Sequence, residues 1–366
     1  MLMVIFGAGA SYDSAQAFQL PETLRQTWRP PLANDLFRDP NQFFGHIVGR
    51  YPKLSHILPY LREPAGGRSV EEVLESLQGE ADGVPERKRE FASVQFYLRD
   101  LFFEVSDKWR DATSGITNYA PLIGEVLRLN RNEEPICLVT FNYDLLLDRA
   151  LESFDYKPQS PHDQFKAHPV LKLFKPHGSA NWARFVDLNP DSRLLPQHLI
   201  ERAESLKFTS EFVTISGIHA SQTFPEGRTA FPVIAVPFQN KTEETFCWPS
   251  DHLKQLQAFL PSIARILIIG WQAREAHFAK ILRNSLPKVS HVMVVGKDPT
   301  DALQTLTRFA ESTALVQKAN IDKAAPARGT FSFRLDRDLN CMPTRVWSSF
   351  PWREEASRTL RATVMS

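Results

Sequence analysis

The chain has 366 residues, 43% of them apolar and 23% charged, with a formal net charge of +1. That length supports a large core in about two domains, or in one domain with big insertions, and the composition is that of an ordinary soluble globular protein. A charge so near zero argues against a dedicated nucleic-acid binder, and no direct nucleic-acid binding is expected.

The first element is the apolar run Val4-Ile5-Phe6, which enters Gly7-Ala8-Gly9-Ala10-Ser11. A strand followed by such a turn lets the backbone approach a phosphate, and its amides can donate to an anion before a helix begins. The third glycine of the usual dinucleotide fingerprint is absent, so a tight turn after an edge strand is the competing reading. From Tyr12 to about Pro64 prolines punctuate a polar stretch and limit helices to short pieces, one of them within Arg29–Phe37. Ser69 and Glu72 then make a capping box, and Val70, Val73, Leu74 and Leu77 follow a helical stripe. A longer helix carries Phe91, Val94, Leu98, Leu101, Phe102, Val105 and Trp109 on one face, and a third covers Pro121 to Leu129. These helices form an insertion over about 12–130.

At Ile136 the pattern changes. Ile136 to Phe141 is a continuous apolar run, expected of a parallel strand buried on both faces, and it ends in Asn142-Tyr143-Asp144. Leu145 to Leu151 reads as a helix and Val170 to Phe174 as a strand, which ends at Lys175-Pro176-His177-Gly178-Ser179. About 180–230 reads as a loop-rich cap, with a helix near Gln197 to Leu206 and a strand at Phe212 to Ile215. Strands Val233–Val236, Arg265–Ile269 and Val292–Val295 alternate with helices Ser250–Phe259 and Glu275–Leu282. The expected fold is a doubly wound, Rossmann-like α/β parallel sheet over 1–310, with its ligand across the carboxyl ends of the strands. Residues 311–366 form a carboxyl-terminal extension of unassigned role, with a strand at Thr330 to Phe333.

Ile266–Ile269 and the other apolar runs are too short to cross a bilayer, and no basic stretch precedes the first apolar residues as in a signal peptide. No membrane association is expected, and the expected location is the cytoplasm. Cys137, Cys247 and Cys341 are far apart, which excludes a four-cysteine zinc site within one chain, so no metal is expected.

Four polar turns converge on the expected sheet edge: Gly7–Ser11, Asn142–Asp144, His177–Ser179 and Gly270–Gln272. The first offers amides to a diphosphate, Asn142 an uncharged side chain for a ribose hydroxyl or a water, and His177 a proton acceptor near neutral pH. Each has a plainer reading. Asn142 can be a turn residue, His177 structural, Asp144 the cap of the following helix, and Trp182 and Trp271 core or wall residues.

Those motifs, with Ile268-Ile269-Gly270-Trp271-Gln272-Ala273-Arg274-Glu275-Ala276-His277-Phe278, stand in an order that resembles the sirtuin-like domains of bacterial anti-phage defence proteins. The resemblance covers residues 1 to about 310. It implies NAD as substrate and, for the defence branch, hydrolysis of NAD to nicotinamide and ADP-ribose. By position it implies catalytic roles for Asn142 and His177. It implies NAD-binding roles for Gly7, Ala8, Gly9, Ser11, Thr140, Phe141, Asp144, Gly270, Trp271 and Gln272. Sirtuin deacylases carry a four-cysteine zinc module and a Gln before the Asn; this chain lacks the cysteines and has Phe141 there, which points away from deacylation and from zinc. An NAD-dependent deacylase and an NAD or ADP-ribose sensor without turnover are the alternatives. Because unregulated NAD depletion kills the host, a homo-oligomer and a separately encoded regulator are expected, with a HerA-type hexameric ATPase as leading candidate.

Overall fold

A computed structural model describes residues 1–313 other than 16–22, 24–27, 39–44, 81–83, 131, 188–194, 218–223, 225–227, 239–246, 287–288 and 290. The expected strand Thr330–Phe333, Cys341 and nearly all of the carboxyl-terminal extension lie outside the described residues.

Five strands make one parallel sheet: β1 (Leu2–Phe6), β2 (Ile136–Thr140), β3 (Leu171–Phe174), β7 (Arg265–Ile269) and β8 (His291–Val295). Their spatial order is β3-β2-β1-β7-β8. The sheet is doubly wound, as the alternation of strands and helices requires. Side chains alternate across a strand, so Val4 and Phe6 face one layer and Met3 and Ile5 the other. The first layer holds α4 (Tyr119–Leu129) and α5 (Leu146–Glu152), which bury Tyr119, Ile123, Leu147 and Leu151 against the sheet. The second holds α6 (Ser250–Phe259), α7 (Ala276–Ser285) and α8 (Pro299–Thr313), which bury Leu256, Phe278, Leu282 and Phe309.

Register decides where the functional turns fall. Phe6 lies beside both Thr140 and Ile269, and Ile269 lies beside Val295. The ends of β1, β2, β7 and β8 are therefore level, and the turns at Gly7, Phe141, Gly270 and Gly296 leave the sheet side by side. Val139 pairs with Phe174, so β3 ends one step short of Thr140 and the Lys175–Ser179 turn begins level with Thr140.

The helix α1 (Ala8–Tyr12) after the first turn is only five residues long. Within the inserted stretch, the short helical piece expected within Arg29–Phe37 is the single tight turn Ala33–Asp35. The capping box of Ser69 and Glu72 is formed, and α2 (Val70–Gly79) buries Val70, Val73, Leu74 and Leu77. The long helix α3 (Pro85–Ala112) buries every residue of its expected stripe except Phe91, which is half-buried.

The stretch read as a loop-rich cap differs from that expectation. Strands β4 (Gly178–Val186), β5 (Phe208–Thr214) and β6 (Thr229–Ile234) form a separate antiparallel sheet in the order β5-β4-β6. The expected strand Val233–Val236 belongs to this sheet and not to the parallel one. β4 is nearly all buried, so it lacks the period-two alternation that marks a half-exposed strand. Its inner face joins α2 and α3 in one apolar core that includes Phe96, Phe185, Phe231 and Ile234. No helix among the described residues is long and apolar enough to cross a membrane.

Candidate functional site

A cavity of about 570 Å³ runs along the carboxyl edge of the parallel sheet, inside the range of about 300–1,000 Å³ usual for ligand pockets. The inserted stretch supplies its opposite wall through Pro31 to Leu36, Ser69, Glu71 and Phe102. Gly7, Ala8, Gly9, Ser11, Phe141, Asn142, Asp144, His177, Gly270, Trp271 and Gln272 all line it. Of the residues given catalytic or NAD-binding roles, Thr140 alone is not among the lining. It sits beneath the turn, where its hydroxyl accepts a hydrogen bond from the Asn142 amide at 3.2 Å.

The two glycine turns are packed backbone against backbone. A Cβ on Gly7 would stand 2.5 Å from Trp271 Cα, and one on Gly270 would stand 2.2 Å from the Ala10 nitrogen. Gly270 also has φ +61°, a conformation that side chains disfavour. The Gly7 amide donates to Ile269 and the Gly9 amide to Gly270. These glycines thus lock the turns of β1 and β7 together, and the Ala8 amide is the one of the three with no partner among the described residues. Arg29 stands beside the turn, donating to the Tyr12 carbonyl and lying 3.7 Å from Asp13 and over the Tyr12 ring.

Asn142 is nearly fully buried, and its side chain is held from one side only. Nδ2 donates to Ser11 Oγ at 2.9 Å and to the Tyr119 hydroxyl at 3.2 Å. Ser11 and Tyr119 are themselves bonded at 2.8 Å. The Asp144 carboxylate accepts from the Leu146 amide at 3.0 Å, and the residue at the cap position of α5 is Leu145, not Asp144 as expected. Burial pushes the Asp144 carboxyl above its ordinary value, and the Ser11 hydroxyl opposes that shift. Among the described residues Asn142 Oδ1 has no hydrogen-bond partner. A buried acceptor without a donor costs about 1–3 kcal/mol, so its persistence beside a cavity points to a ligand that supplies the donor.

His177 leaves the end of β3 on a turn that only glycine can complete. Gly178 has φ +74°, and a Cβ there would lie 2.0 Å from the Val233 carbonyl. The ring meets Phe141 edge-on at 4.9 Å and lies over Tyr143 at 6.0 Å. Phe141 in turn stacks on Trp271 at 5.2 Å with 8° between planes, which makes an apolar wall next to the imidazole. Trp182, by contrast, is wholly buried in the core behind the sheet. Beneath the turn the fully buried Lys175 ammonium donates to Asp148 at 2.6 Å and to Ser179 at 2.8 Å, fixing the base of the His177 loop to α5.

Sequence reading missed several residues of the cavity. Phe102 lines it from the inserted helices, and its apolar spacing marks it only as core, while Tyr119 stands behind Asn142 and is not among the lining. Arg274, Lys297 and Asp301 line the end near β8. Among the described residues no group of three or more metal-ligating side chains could hold a metal ion.

The fold and its edge cavity define a doubly wound α/β protein with a nucleotide-sized cleft at the strand ends. No protein-family model matches the chain, and no curated protein matches it. Among solved structures it is similar to a Sir2 homologue in complex with NAD, at 14% identity over 86% of this chain and 88% of that one, with a TM-score of 0.37. It is similar to a mutant Sir2 homologue in complex with ADP ribose, at 14% identity over 99% and 92%, with a TM-score of 0.39. A further mutant complex, with 2′-O-acetyl ADP ribose, has 13% identity over 100% and 93% and a TM-score of 0.41. These are likenesses of fold, and the chemistry of the site rests on its own residues.

Proposed function

We propose that this chain binds NAD in the edge cavity and hydrolyses its nicotinamide–ribose bond, giving nicotinamide and ADP-ribose. The observation that carries this reading is the orphaned Asn142 Oδ1, buried beside the cavity with its amide nitrogen tied back to Ser11 and Tyr119. An oxygen so placed accepts a hydrogen bond from a ribose hydroxyl or from a water. The resemblance of the four turns to the sirtuin-like defence family supports NAD as the molecule that provides it.

In this reading the bond between ribose C1′ and the nicotinamide nitrogen breaks, and both electrons leave with nicotinamide, which departs neutral. The oxygen of water bonds C1′, and His177 accepts the proton that the water releases. The developing charge on the ribose is that of an oxocarbenium-like state, for which positioning of the nucleophile matters more than acid assistance. The Phe141–Trp271 stack gives the His177 imidazole an apolar neighbour.

Incubating the purified full chain with NAD and following nicotinamide release tests the reading. His177→Ala should lose about 10²–10⁴-fold in turnover while keeping its fold. Turnover that survives both His177→Ala and Asn142→Ala would overturn it. We further propose that the activity serves anti-phage defence by NAD depletion, and that it is gated by self-assembly and by a separate regulator, for which a HerA-type ATPase is the leading candidate. A strict monomer in light scattering at micromolar concentration contradicts the first part. Failure of the chain to retain the co-expressed ATPase in a pull-down contradicts the second.

A further inference from the structure

We infer that Tyr119 is a positioning residue that sets the orientation of the Asn142 amide, an inference that rests on the proposed role of Asn142. Tyr119 opens α4, fully buried, with its ring edge-on to Phe6 at 5.3 Å. Its hydroxyl is the second of the two partners on which Asn142 Nδ2 hangs, at 3.2 Å, and it also bonds Ser11 Oγ at 2.8 Å.

A count of protons shows why both hydroxyls are needed. An Asn side chain offers two N–H donors and one carbonyl acceptor, and rotation by half a turn exchanges them. A hydroxyl alone cannot choose between the two, because it can donate or accept. Here the pair decides. The Ser11 and Tyr119 hydroxyls bond each other at 2.8 Å, and whichever of them donates has spent its only proton. That oxygen can then only accept from the amide, so it must meet Nδ2, and the carbonyl faces the cavity. In the reversed orientation Oδ1 would meet the lone pairs of that oxygen. The bond between the two hydroxyls therefore fixes the direction of the amide.

Removing the Tyr119 hydroxyl leaves one Nδ2 proton unbonded and the amide on a single tether. The loss falls on positioning of the reacting groups, so it appears in kcat and not in binding. In Tyr119→Phe we expect kcat for nicotinamide release to fall about tenfold, the size of one modest hydrogen bond, with KM for NAD changed by less than about twofold. ADP-ribose affinity by calorimetry should be unchanged. In an Asn142→Ala background the same replacement should cost nothing more, because the group through which it acts is gone. An unchanged kcat, or equal losses in both backgrounds, would overturn the inference.

Should Tyr119→Phe fail to fold, the unaltered protein still decides. With asparagine selectively labelled with ¹⁵N, the Asn142 side-chain NH₂ signal is identified by its absence from Asn142→Asp. Slow exchange of both protons with solvent is expected, and fast exchange of either overturns the inference. This measurement needs no turnover, so an absence of nicotinamide release would defeat the proposed function and leave the hold of Tyr119 on Asn142 separately tested.

Discussion

Two buried polar clusters stand on opposite walls of this protein, and they differ in one respect. In the inserted helices, Asp100 of α3 is buried with Arg99, Tyr51 and part of Arg50. Its Oδ1 accepts from Arg99 Nε at 2.8 Å, and its Oδ2 accepts from the Tyr51 hydroxyl at 2.5 Å and from Arg50 at 3.2 Å. Burial, and after it the Asp100 charge, push the Tyr51 hydroxyl above its ordinary value. Both carboxylate oxygens are occupied, and the cluster pins α3 to the turn Pro52–His56. At the sheet edge, Ser11, Tyr119, Asn142 and Asp144 are as deeply buried and as tightly linked, yet Asn142 Oδ1 is left open beside the cavity. A buried network that closes on itself specifies structure, whereas one that leaves an acceptor at a cavity is poised for a ligand.

Exchanging the damage between the clusters breaks or confirms that contrast, with the largest expected effects. Asp100→Ala removes the buried carboxylate that Arg99, Arg50 and Tyr51 share and should cost about 3–5 kcal/mol in urea unfolding, with turnover per folded molecule retained. Asn142→Ala should do the reverse. We expect turnover to fall about 10²-fold or more, by analogy with loss of one aligned polar group in an active site, and stability to change by less than about 1 kcal/mol. If Asn142→Ala destabilises as much as Asp100→Ala, both clusters are structural.

The same contrast extends to the backbone. Gly270 and Gly66 have similar positive φ, +61° and +69°, but a Cβ at Gly270 meets the Ala10 nitrogen while nothing lies within 4 Å of Gly66. Gly66→Ala should cost only the left-handed strain, about 1–2 kcal/mol. Gly270→Ala carries the same strain and also separates the turns of β1 and β7, so it should cost more and weaken ADP-ribose binding. Equal midpoints in urea for the two variants would show that the turns are not tightly locked.

How much of this was legible in the sequence follows from how local each signal is. The apolar runs at Val4, Ile136 and Arg265 announce strands buried on both faces, and strand register alone then brings Gly7, Asn142 and Gly270 together. The capping box at Ser69 is likewise a four-residue signal, and it forms. β4 stayed hidden because near-complete burial erased its alternation, and it took the antiparallel sheet with it. Tyr119 stayed hidden for another reason. It is a core aromatic by pattern, and its hydroxyl gains a role only when tertiary packing brings it to Ser11, 108 positions away in sequence.

A smaller effect is expected where the insertion meets the cavity. Ser69 caps α2 and lines the cavity wall with Glu71. Ser69→Ala removes the acceptor for the Glu72 amide and should cost about 1 kcal/mol. Since fraying is confined to the first turn, we expect the cost to appear as a raised KM for NAD with kcat unchanged. An unchanged KM would mean that this wall does not touch the substrate.

The smallest change in stability, and the one most specific to the open cluster, concerns Asp144. Burial raises its folded-state pKa above the ordinary carboxylate value of about 3.9. The folded chain therefore binds this proton more tightly than the unfolded chain does. The contribution to stability is complete below the ordinary value and is lost as pH rises through the raised one. Above the raised value the ionised carboxylate is a net cost, borne in this reading because it lines the cavity beside Asn142. Asp144→Asn removes the charge and keeps a carbonyl for the Leu146 amide, which now bonds Asp144 at 3.0 Å. The variant should melt slightly higher than the parent at pH 7, with the difference shrinking as pH falls toward 4, near the ordinary carboxylate value. Its turnover should nevertheless fall, because the carboxylate that lines the cavity beside Asn142 is gone. Thermal melts of both proteins at the two pH values check the first half, and nicotinamide release checks the second. A variant that melts lower at pH 7 would mean that the bonds from Ser11 and Leu146 outweigh the burial of charge, and that Asp144 belongs with Asp100 among the closed, structural carboxylates.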